Sequence, residues 1–117
     1  METKEVLQIA VNACDDKHAE DIVVLDMKQI SLIADYFVIC HGNTERQVQA
    51  IARGVKDALH EHQIPIKQME GFEQARWVLI DTGEVLCHIF HKTEREYYHL
   101  ERLWGDAAVV PVEIGKS

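Results

Sequence analysis

The sequence predicts a single α/β domain, a mixed five-stranded sheet flanked by helices, and three observations carry that reading. Two short runs of consecutive aliphatic and aromatic residues, DIVVLD at 21–26 and YFVIC at 36–40, suit strands covered on both faces. Segments with helical apolar spacing alternate with them, as a sheet packed under helices requires. The third is Trp77–Phe90, WVLIDTGEVLCHIF, which reads as strand, tight turn and strand. At 117 residues, with 47% hydrophobic and 27% charged positions, the chain is of one-domain size. No repeat, linker or low-complexity run divides it. The folded domain is expected over 1–107, with 108–117 as a C-terminal tail.

Taken in order, Thr3 to Lys17 places Val6, Ala10, Ala13 and Cys14 on one helical face, with Leu7 and Val11 beside them, and Lys4, Gln8, Asn12 and Asp15 on the other, an amphipathic opening helix. DIVVLD and YFVIC follow as strands, joined by a short connection. Thr44-Glu45-Arg46-Gln47 matches a capping box and opens a long helix in which Val48, Ile51, Ala52, Val55 and Leu59 recur at helical spacing. Pro65 forbids its simple continuation. Ile66–Glu70 is a third strand closed by Gly71. After the hairpin, Thr93-Glu94-Arg95-Glu96 reads as a second capping box, opening a helix with Tyr97, Leu100 and Trp104 along one side and Gly105 at its end.

If Thr82 and Gly83 are the turn residues of the hairpin, Ile80 faces Val85, Leu79 faces Leu86, Val78 faces Cys87 and Trp77 faces His88. One face then carries Val78, Ile80, Val85, Cys87 and Ile89 and is core. The other mixes Trp77, Leu79, Asp81, Glu84, Leu86, His88 and Phe90. Such mixtures suit an interface, where an aromatic anchor sits beside charged groups; composition alone slightly favours the other reading, in which Trp77, Leu79 and Phe90 pack beneath a helix and Trp104 fills the core.

Composition excludes several classes. The formal charge of −8 argues against broad phosphate-backbone binding and favours a basic protein as partner. No apolar run is long enough to span a bilayer, and METKEVLQIA lacks the basic-then-apolar order of a secretory signal, so a cytoplasmic location is expected. Cys14, Cys40 and Cys87 are odd in number and lie in apolar segments, which points to buried thiols in a reducing compartment.

Catalytic readings fare poorly. Gly42-Asn43-Thr44 stands at a strand-to-helix junction that could offer N–H groups to phosphate, but no P-loop or dinucleotide fingerprint surrounds it. His60-x-His62 and His88-x-x-His91 lack a convincing third ligand, so no metal and no cofactor is expected. Asp81 and Glu84 meet only at a hairpin end, without the further carboxylate that metal-assisted phosphoryl transfer needs. The chain is expected not to be an enzyme, with a nucleotide-binding or nucleotidyltransferase-like enzyme as the alternative.

DIVVLD at 21–26, SLIADYFVIC at 31–40, GNTERQVQAIA at 42–52, EG at 70–71, WVLIDTGEVLCHIF at 77–90 and REYYHLERLWGDA at 95–107 together closely resemble the ribosomal silencing factor family, the Iojap-related proteins of bacteria and organelles. Thr44 stands where many relatives have serine and keeps the hydroxyl cap. The resemblance implies a translation repressor that binds the large ribosomal subunit through ribosomal protein L-fourteen and blocks association with the small subunit. It also implies a nucleotidyltransferase-like fold without the catalytic carboxylates. Carried onto this chain, the partner-binding residues are Glu70, Trp77, Leu79, Asp81, His88, Tyr98, Leu100 and Glu101. Trp77 would be the anchor, with Asp81 and Glu101 pairing basic groups of the partner. A third reading, alternative to these, is a self-associating module in which the same mixed face forms a homodimer, and no membrane or primary nucleic-acid contact is expected.

Overall fold

The computed structural model describes residues 2–32, 34–98 and 107–111, of which 96–98 are described in backbone only. Helix α1 (Thr3–Asp16) buries Val6, Leu7, Ala10, Val11, Ala13 and Cys14, the stripe its spacing dictates. It ends without a glycine: His18 takes a left-handed φ of 64°, and the Ala19 N–H returns to the Cys14 carbonyl at 3.0 Å. Strand β1 (Glu20–Asp26) begins with an irregularity between Glu20 and Val23, where Asp21 has a φ of 50°, and only then pairs regularly. Strand β2 (Tyr36–Gly42) is buried along its whole length.

Thr44 caps α2 (Glu45–Glu61) by accepting the Gln47 N–H at 3.1 Å. The Gln47 side chain reaches back one residue further than a capping box would have it, accepting the Asn43 N–H at 2.8 Å. The helix buries Val48, Ile51, Ala52, Val55 and Leu59, the five positions its periodicity singles out. Then come β3 (Gln68–Glu70), β4 (Trp77–Asp81), β5 (Val85–His91), α3 (Lys92–Tyr98) and β6 (Ala108–Val109).

The sheet has six strands rather than five, ordered β3-β4-β5-β2-β1-β6. All five expected strands are present. The sixth comes from the segment expected as a tail: Ala108 and Val109 pair antiparallel with Asp26 and Leu25, and the Val110 N–H donates to the Val24 carbonyl at 2.9 Å. Two paired residues flanked by Pro111 leave too short a pattern to read as a strand. The sheet is mixed, as expected: β2 and β5 run parallel at its centre and every other pair is antiparallel.

Its two faces differ. Helices α1 and α2 cover one, packing on Val24, Val38, Cys40, Val78, Ile80, Val85, Cys87 and Ile89. The other holds a smaller cluster of Leu25, Met27, Ala34, Phe37, Ile39, Leu86, Phe90 and Ala107, with Val23, Trp77 and Leu79 at its margin.

The hairpin register differs from the expected one. Trp77 faces Phe90, Leu79 faces His88 and Ile80 faces Cys87. The turn residues are Gly83 and Glu84, with Gly83 at a φ of 100° in the first central position, where a type II′ turn takes glycine. Asp81 selects this placement, its Oδ1 accepting the Gly83 N–H at 2.7 Å while the Thr82 N–H donates to the Val85 carbonyl at 3.1 Å. Moving the turn by one residue moves the pairing by two, so each side chain keeps its face.

The last helix also starts differently. Its first residue is Lys92, which puts Thr93 inside the helix instead of at its cap. The Thr93 N–H donates to His91 Nδ1 at 3.3 Å, so the preceding histidine ring does the capping. The expected continuation through Leu100 and Trp104 to Gly105 lies outside the described residues.

Candidate docking surface

Strands β3 and β4 bring the mixed-face residues to one end of the sheet. Glu70 is paired with Leu79, and Gln68 with Asp81. Glu70, Gly71, Trp77 and Leu79 line a shallow recess of about 300 Å³. Gly71 makes it possible for the chain to turn there: its φ is 80°, and a Cβ would stand 2.2 Å from the Trp77 carbonyl oxygen. Glu70 is exposed, and the Gln68 side-chain amide donates to its carboxylate.

Trp77 is half-buried. Its indole stacks obliquely on Phe90, with centroids 4.9 Å apart at 33°, and its N–H donates to His88 Nδ1 at 3.1 Å. His88 itself is only 5% exposed and packs against Phe37, centroids 4.6 Å apart. Burial lowers its pKa to about 4, so the ring is neutral at physiological pH. His88 therefore supports the indole from behind. Leu86 and Phe90, on the same face, are buried. Asp81 is half-buried and engaged with the turn. The structure thus gathers Glu70, Trp77 and Leu79 at one recess, with Asp81 further along β4. Tyr98 ends α3, its side chain undescribed, and Leu100 and Glu101 lie outside the described residues.

Two arginines that pattern reading does not single out hold this end together. Arg76, immediately before Trp77, lies 3.4 Å from Glu45 of α2 and 3.3 Å from Glu94 of α3, anchoring the base of β4 to the starts of both helices. Arg95 is buried on α3 and donates to the Asp21 carbonyl at 2.8 Å and to His41 Nδ1 at 3.0 Å. Burial first and the Arg95 charge second lower the His41 pKa. A charged residue immediately before a hydrophobic strand was the available signal for Arg76; nothing local betrays Arg95, whose partners are a strand irregularity and a distant ring.

The residues whose types could suit catalysis are differently built. Gln47 fills the space beside Gly42 and engages the Asn43 N–H, so the α2 start is closed by its own side chains. Cys14, Cys40 and Cys87 are free and buried. The contact with Cys40 and then burial raise the Cys14 pKa, and burial raises that of Cys87, so neither favours the nucleophilic thiolate. Among the described residues no three of His, Cys, Asp or Glu converge to hold a metal, and no helix is long and apolar enough to cross a membrane. A larger hollow of about 490 Å³ near Pro65, Lys67 and Glu84 brings no aromatic anchor.

A small α/β domain that holds an indole beside an exposed carboxylate has the elements of a contact surface. The family model described as ribosomal silencing factor during starvation matches residues 1–117. The chain is 60% identical over 117 residues to the ribosomal silencing factor RsfS of Bacillus subtilis, covering 100% of this chain and 99% of that one. It is 63% identical over 113 residues to the RsfS of Halalkalibacterium halodurans, covering 97% of each. A crystal structure from Bacillus halodurans superposes with a TM-score of 0.85 at 58% identity, covering 94% of this chain and 100% of that one. The chain belongs to the ribosomal silencing factor family and is a regulatory protein rather than an enzyme.

Proposed function

We propose that this chain represses translation by binding the large ribosomal subunit, chiefly through ribosomal protein L-fourteen, and standing in the way of the small subunit. The observation that carries this reading is the half-buried Trp77, held by His88 at the edge of a recess that Glu70 and Leu79 complete. The net charge of −8 supports a basic partner. Glu70, Trp77, Leu79 and Asp81 form the described part of the proposed contact surface, His88 backs it, and Tyr98, Leu100 and Glu101 are its remaining members by sequence alone. The action is cytoplasmic. We read the sheet as a nucleotidyltransferase-like scaffold without the paired strand carboxylates of an active transferase, since β3, Gln68-Met69-Glu70, carries one carboxylate and no pair.

Cosedimentation with isolated large subunits and a pull-down with purified L-fourteen test the partner. Trp77→Ala is expected to remain folded and to lose about thirtyfold or more in affinity, Glu101→Ala much less. Normal binding by folded Trp77→Ala would remove Trp77 as anchor. Unchanged subunit joining when the large subunit is preloaded would reject the obstruction mechanism. Homodimerisation through the same face would compete with the ribosomal partner, and light scattering with and without L-fourteen would reveal it.

A further inference from the structure

Trp77 and His88 are diagonal neighbours, on strands where Trp77 faces Phe90 and Leu79 faces His88. The indole nitrogen is a donor only, so the 3.1 Å bond to Nδ1 requires that Nδ1 carry a lone pair and that the proton of the neutral ring sit on Nε2. That Nε2 is buried and has no hydrogen-bond partner among the described residues. The surrounding cluster is apolar, with Phe37, Ile39, Leu86 and Phe90 in it. A leucine or phenylalanine would fill such a place without leaving a donor unmet. What histidine adds there is an acceptor at the edge of the Trp77 ring.

We propose that His88 is a positioning residue for partner binding: its Nδ1 fixes the orientation of the Trp77 indole in the free protein, and His88 itself does not touch the partner. The inference rests on the docking reading of Trp77. It makes the anchor preorganised, so that the ring's freedom is lost on folding and not on association.

Asparagine tests this, because its Oδ1 stands as many bonds from the backbone as the histidine Nδ1, whereas leucine has no acceptor. The free protein carries two tryptophans, Trp77 and Trp104, and a Trp77→Phe variant assigns their indole N–H resonances. His88→Leu is expected to move the Trp77 resonance and to weaken binding to isolated large subunits about tenfold. His88→Asn is expected to hold the resonance near its original position and to bring affinity back within about threefold of the parent. Thermal melts establish that both are folded. An unmoved indole in His88→Leu, undiminished affinity in that variant, or equal losses in the two variants would each overturn the proposal. Imidazole nitrogen shifts of the unsubstituted protein give an arm that does not depend on either variant folding: the Nε2–H tautomer is expected at neutral pH, and an Nδ1–H tautomer overturns the proposal. Failure of the parent protein to bind large subunits would reject the docking reading, and the indole and tautomer measurements would still decide whether His88 holds Trp77.

Discussion

Burial lowers the pKa of His88 to about 4, and its described ring neighbours, Phe37, Trp77 and Phe90, as well as Leu79 across the strands, offer no charge to stabilise an imidazolium. An unfolded chain accepts the proton near the ordinary value of about 6.5, while the folded chain refuses it until about 4. The stabilising contribution is therefore complete above about 6.5 and is lost as pH falls from there to about 4, by on the order of 3 kcal/mol. Urea unfolding across that window should show the decline, and His88→Leu should flatten it. A slope unchanged in that variant would assign the acid sensitivity to other groups, of which His41 is the first, its pKa being lowered too.

At the scale of elements, the turn after β3 and the seating of α3 are the sensitive points. Gly71→Ala would force a left-handed φ on a residue with a Cβ and drive that atom against the Trp77 carbonyl. Thermal unfolding should show a loss of about 2 kcal/mol or more, and the proposed docking role of the recess further predicts weaker ribosomal binding, since the recess is distorted. Arg95→Met would leave the Asp21 carbonyl and His41 Nδ1 without a buried donor, at a cost of about 2 kcal/mol. Amide exchange in α3 should quicken. Removal of the neighbouring positive charge should also raise the His41 pKa, and an NMR titration showing no rise would place the electrostatic origin elsewhere. Much at this scale was legible. The stripes of α1 and α2, the Thr44 cap and the two hairpin faces follow from period and turn chemistry alone. The register was not, because Asp81 binds the Gly83 N–H and recruits Glu84 into the turn, a choice between adjacent dipeptides that the apolar alternation cannot distinguish. Nor was the burial of His88: strand parity gives the face on which it lies, and only the cluster around Phe37 and Phe90 covers it.

Across the whole molecule, the parallel pairing of β2 with β5 joins segments separated by α2, β3 and β4, so the centre of the sheet is made of distant parts of the chain. The outer edge depends on a still more distant pairing. β6 satisfies backbone groups of Leu25 and Asp26, and Ala107 contributes to the second cluster. Truncation after residue 106 should therefore lower the melting temperature and increase self-association seen by light scattering, since β1 becomes an exposed edge. Unchanged stability and a monomeric truncated chain would show that β6 is dispensable. The same pairing carries a consequence for synthesis. β1 is made well before β6, so during translation the outer side of β1 stays without its partner until Ala108 and Val109 have cleared the ribosome that is making them.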